Sequence, residues 1–134
     1  MSIVKVRAAL EAALGAMTPA LATVWENTAY TPVVGTPYQR AYLLPAEPDN
    51  SEYGATHREQ GVFQVSLFYP NGTGSAAAAA RAEMLRTTFK RGASFTKDGV
   101  TVSITNTPTV GAGTADGDRW HVPVKCRFIS SIIA

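Results

Sequence analysis

The chain has 134 residues, of which 46% are apolar and 16% charged, and a formal net charge of +2. This length supports one hydrophobic core and excludes two independent domains, so residues 1–134 read as a single domain. The charged share is low against a typical ~25%, and the small net charge excludes the dense basic patch of a dedicated nucleic-acid binder.

Cys126 is the only cysteine, which rules out an internal disulfide and a multi-cysteine metal site. Residues 1–14 carry Lys5, Arg7 and Glu11 among their apolar residues and do not read as a signal peptide. No run approaches the ~20 apolar residues of a membrane span. These features predict a soluble protein made in a reducing cytoplasm, with no membrane partner.

In chain order, Ile3, Val6, Leu10, Leu14 and Met17 recur at helical spacing and predict an amphipathic helix over 2–17, with Ser2 as N-cap and Pro19 as the stop. Residues 22–26 predict a short strand, and Tyr38 to Leu44 another, ended by Pro45. The stretch 45–58 has Pro, Gly, Asn and Asp without apolar period and predicts a long loop, with His57 and Arg58 at the entry to the next strand. Phe63, Val65, Leu67 and Tyr69 alternate with Gln64, Ser66 and Phe68 within a strand over 59–69. Ser75 is a predicted N-cap for a helix over 76–89, built on five alanines, with Arg81, Glu83 and Arg86 toward solvent. Asp98-Gly99 between 94–97 and 100–105 is the pair that a two-residue type I′ hairpin turn requires. Residues 106–118 predict a second long, flexible loop.

The clearest element is the strand 119–130. Trp120, Val122, Val124, Cys126 and Phe128 point one way, and Arg119, His121, Pro123, Lys125 and Arg127 the other. Pro123 has no N–H, which predicts an edge strand or a bulge. Together these elements predict an α+β domain: a mainly antiparallel, twisted sheet of about five to six strands with two helices on one face.

Complete catalytic constellations are absent from the sequence. His57 and His121 are isolated from any Gly-x-Ser-x-Gly elbow, and Cys126 falls on the apolar side of its strand, as a buried thiol does. The two histidines have no metal-ligand spacing, and Asp116 and Asp118 read as turn residues. Gly72-Thr73-Gly74-Ser75 lacks the Gly-Lys-Ser/Thr of a phosphate loop. A non-enzymatic protein without cofactor is predicted. The row Arg119, His121, Lys125 and Arg127 is the candidate contact surface. It fits DNA, acidic residues of a neighbouring subunit, or plain solvation.

The order of these pieces resembles the tail terminator, or tail completion, proteins of long-tailed phages, of the lambda minor tail protein U type. The resemblance spans the chain. It includes the N-terminal helix, the Tyr-rich strand ending in Leu44-Pro45, and Glu59-Gln60-Gly61-Val62-Phe63-Gln64-Val65-Ser66-Leu67 leading to Pro70. The alanine-rich helix, Phe89-Lys90-Arg91-Gly92, the Gly-centred hairpin and Trp120-His121-Val122-Pro123-Val124 complete it. It implies a structural virion protein that forms a ring, usually a hexamer, on the last tail-tube ring, stops tube polymerisation and gives the head connector a docking surface. The implied partners are further copies of the chain, the tail-tube protein, the head–tail connector and, without sequence specificity, passing DNA. The implied location is the virion tail, and the host cytoplasm during assembly. By analogy, the loops 45–58 and 106–118 contact neighbours, with Glu52, Tyr53, His57 and Arg58 as candidate contact residues, and the basic strand face lines a lumen. Other readings are a different head–tail connector, a tail-tube subunit or, from another class, a small ligand-binding domain.

Overall fold

A computed structural model describes residues 2–18, 21–31, 33, 35–47, 57–72 and 74–132. Helix α1 (Ser2–Gly15) and helix α2 (Ala76–Thr88) pack against a curled, mixed sheet. Its strands are β1 (Ala22–Val24), β2 (Tyr38–Pro45), β3 (His57–Pro70), β4 (Ser94–Lys97), β5 (Val100–Ile104), β6 (Thr109–Val110), β7 (Thr114–Asp116) and β8 (Arg119–Ile132). The sheet order is β1-β2-β3-β8-β5-β4, with β6 and β7 also paired to β8. The pairing of β1 with β2 is parallel, which makes the sheet mixed where a mainly antiparallel one was expected; the other pairings are antiparallel.

One core joins both helices to one sheet face. Val6, Leu10 and Leu14 of α1, with Met17 just beyond it, meet Ala78, Ala82 and Leu85 of α2 and its C-cap Phe89, over Phe63, Val65, Leu67, Val122, Val124, Cys126 and Phe128. The alternation of β3 and β8 is therefore realised as predicted, with Tyr69 and Trp120 partly buried at its end. The hairpin turn also follows the sequence: Asp98 and Gly99 both adopt positive φ, 51° and 81°.

Several expectations are corrected. Strand β8 is central, not an edge, and holds β3 along one side over fourteen register pairs. Pro123 is tolerated because its carbonyl accepts from Gly111 N–H on the other side. A residue's N and C=O point to the same strand edge, so the missing donor falls in the break between β6 and β7 and costs the β3–β8 ladder nothing. The stretch 106–118 is not a free loop, because β6 and β7 lie along β8. Gly111 and Gly113 permit this close approach: a Cβ on Gly111 would lie 2.7 Å from the Pro123 Cγ, and one on Gly113 would run into the Trp120 indole.

Ser75 is already in the right-handed helical region and makes no side-chain cap bond; a capping side chain needs the extended backbone of a true N-cap. Arg81 is buried at 5% exposure, not solvated. It lies three residues after Ala78 and four before Leu85, on the buried stripe, where the small neighbours Ala78 and Ala82 leave room for its stem. Pro19 and the bulk of the predicted 45–58 loop, including Glu52 and Tyr53, lie outside the described residues. His57 and Arg58 do enter β3, opposite Ile132 and Ser131.

Glu26 ties α1 to the sheet. Its carboxylate accepts from Arg7 Nη1 at 2.8 Å and from the Leu43 amide. Burial alone raises the pKa of this carboxyl, but the Leu43 amide and the Arg7 guanidinium outweigh it and hold it below its ordinary value of 4.5. A lowered folded-state value contributes stability above 4.5 that is lost as pH falls through it. The side chain is 33% exposed, so solvent screening discounts the effect. At pH 7 Glu26→Gln should cost about 1 kcal/mol. In paired melts of the two proteins across pH, that difference should shrink under acid; a difference independent of pH would refute the assignment.

Candidate subunit interface

The face of the sheet turned away from the helices is built by β2, β3 and β8. Cross-strand partners share a face, so the register sets its rows: Tyr38, Phe68 and His121; Arg40, Ser66 and Pro123; Tyr42, Gln64 and Lys125; Leu44, Val62 and Arg127. No carboxylate stands on this face of the three strands among the described residues.

One end of the face is covered. Tyr38 stacks on Phe68 with centroids 4.9 Å apart, and Phe68 on His121 at 4.7 Å and 6°. Tyr30 closes on Tyr38 from the segment before β2. Arg119 locks that segment down. Its Nη2 donates to the Val33 carbonyl at 2.6 Å, its Nη1 to the Thr36 carbonyl, and its guanidinium lies 5.0 Å from the Tyr38 ring centroid.

The predicted row Arg119, His121, Lys125 and Arg127 is therefore split. Arg119 is buried at 5% exposure and spent on two carbonyls, which removes it from any lumen or contact surface. Strand parity placed it correctly on the outer face, but the covering segment is distant in sequence and gave no pattern to read. His121 is half-buried, flat against Phe68. Only Lys125 and Arg127 are exposed, two residues apart and so about 7 Å from each other.

Both line a groove of about 760 Å³ at the open end of the face. Arg91, from the segment after α2, supplies a third cation, and Asn106, Thr107 and Thr109 add neutral polar groups. Nothing in the sequence pattern marks Arg91 for this groove, because its neighbours there come from other elements. A second groove of about 380 Å³ continues from it, sharing Val62, Asn106 and Arg127 and reaching Ala46 and Gln60. There Ala46 N–H donates to the Gln60 carbonyl at 2.8 Å, and Gln60 Nε2 to the Glu47 carbonyl at 3.0 Å.

This surface offers charge and hydrogen bonding without a reactive group. Cys126 lies on the core side, fully buried, and burial pushes its thiol up to about 12. At pH 8 roughly one thiol in ten thousand is then ionised. A maleimide should leave Cys126 unlabelled in the native protein and label it in guanidinium; rapid native labelling would contradict the burial. Among the described residues no three His, Cys, Asp or Glu side chains cluster as metal ligands, and no helix is long and apolar enough to cross a membrane.

The model of the phage tail terminator protein family matches residues 5–128. The chain belongs to the phage tail terminator family. Members of this family are structural components of a phage tail and associate with other tail components. A solved structure, whose name carries no functional description, is 30% identical with a TM-score of 0.78, over 100% of this chain and 99% of the other. No curated protein matches the chain.

Proposed function

We propose that the protein caps the phage tail tube as a ring, most simply a hexamer, ends tube polymerisation and presents the surface to which the head connector joins. The observation that carries this reading is the terminator-family match across nearly the whole chain, from residue 5 to 128. The fold supports it: the helices bury one sheet face, while the groove beside Lys125 and Arg127 stays open for assembly. In this reading the 45–58 region, with Glu52, Tyr53, His57 and Arg58, meets neighbouring subunits. Two anionic partners fit Lys125 and Arg127: the phosphates of DNA passing through the ring, or a carboxylate of the next subunit.

Adding the protein to polymerising tail-tube subunits should arrest growth, giving short tubes with a ring at one end. Tubes of unchanged length would refute termination. Long tubes formed by this protein alone would make it a tube subunit instead.

A further inference from the structure

We infer that the Arg91–Lys125–Arg127 groove receives the Glu47 rim of a second copy of this chain, so that each ring contact is a carboxylate of one subunit seated among three cations of the next. This deepens the ring reading and rests on it.

The argument begins with unmet charge. Within the chain, Arg7 pairs with Glu11 and Glu26, Arg86 with Glu83, and Arg119 with Asp118. Arg91, Lys125 and Arg127 line one groove and pair with no carboxylate there. Glu47 is exposed and has no ion-pair partner among the described residues, and its carbonyl is held by Gln60, which lines the second groove. The molecule thus carries a cationic socket and an anionic rim that do not satisfy each other within one chain. Unlike patches suit a head-to-tail contact, the type that forms a ring when the rotation between copies closes.

Shape favours a carboxylate over DNA. The three cations are exposed, but they converge on a groove of about 760 Å³ that Val62 also lines, where a duplex would meet a flatter surface. That volume takes a few side chains. Arginine presents its paired N–H donors to a carboxylate in a bidentate fork, and Asn106, Thr107 and Thr109 are placed to bind the remaining polar atoms of an incoming segment.

Charge reversal tests the inference. Arg127→Glu and Glu47→Arg are substitutions at exposed positions, and equal melting temperatures will show that both variants fold; should Arg127→Glu melt early, Arg127→Gln replaces it as a milder probe of the groove. Each variant alone should lower the fraction of capped tubes about tenfold or more, since each change of 1.4 kcal/mol is tenfold and every contact of the ring is affected. An equimolar mixture of the two charge-reversal variants should restore capping. Alternating subunits then place the acidic position 127 of one variant against the basic position 47 of the other, and a native groove against a native rim. Capping unaffected by either variant, or lost without rescue in the mixture, would overturn the inference. Normal capping with weakened DNA retention would also overturn it, in favour of a DNA contact. Wild-type protein that caps no tubes would overturn the ring reading itself.

Discussion

Replacing Gly61 by alanine is expected to lower the melting temperature by about 10 °C or more, equivalent to ~3 kcal/mol for a chain of this size. Gly61 lies in the middle of β3, opposite Pro45 on one side and Phe128 on the other. A Cβ there would run into the Leu44 carbonyl and sit 2.9 Å from Pro45 Cα and 3.1 Å from Ala46 N. These are backbone atoms, so relief requires β2 to move. Glycine here answers a close approach of chains, since its φ is not among the positive ones. Gly15→Ala is the matched control. Nothing lies within 4 Å of that position, and alanine is the better helix former, so stability should hold or rise. Equal melts for Gly61→Ala and wild type would show that β2 and β3 do not meet as described. The displaced segment leads directly to Glu47, so capping should fall with stability.

Arg119→Ala should cost about 3 kcal/mol and free the segment that covers the Tyr38 end of the sheet. Hydrogen bonds to a charged donor contribute ~1.5–3 kcal/mol each, and Arg119 makes two, to Val33 and Thr36, while its side chain is 6% exposed. The loss should be regional. Proteolysis and hydrogen exchange should rise around residues 28–37 while amides of β3 and β8 stay protected. Arg119→Lys should recover only part of the loss, because an ammonium is not a planar fork able to reach both carbonyls at once. Uniform loosening of the whole sheet, or full rescue by lysine, would contradict the clamp.

These two residues mark the boundary of what the sequence disclosed. The alternation Trp120 to Phe128 and the helical spacing Val6, Leu10 and Leu14 report which side faces the core, because burial is written into residue polarity at the period of each element. The core, both helices and the Asp98-Gly99 turn were legible for that reason. Backbone pairing leaves no such mark. Thr109–Val110 and Thr114–Asp116 join β8 through main-chain hydrogen bonds while most of their side chains stay exposed, so a stretch rich in Gly and Thr read as a loop. Pro123 pointed to an edge only because the break between β6 and β7 was not visible.

The candidate surface was legible in the same partial way. Parity put Lys125 and Arg127 on the outer face, where the structure has them. It also put Arg119 there, and could not show that a segment more than eighty residues earlier covers it. Arg91 joins the groove from the end of α2, a proximity that only the fold creates. Family resemblance, carried by the order of elements along the whole chain, supplied the biological role that no local motif encodes.

The most direct measurement is electron microscopy of purified, unterminated tail tubes mixed with the tagged protein. The account predicts added density as one closed ring at the head-proximal end of each tube, and no tube extending beyond it. Density along the tube wall, at the opposite end or nowhere on the tubes would contradict it.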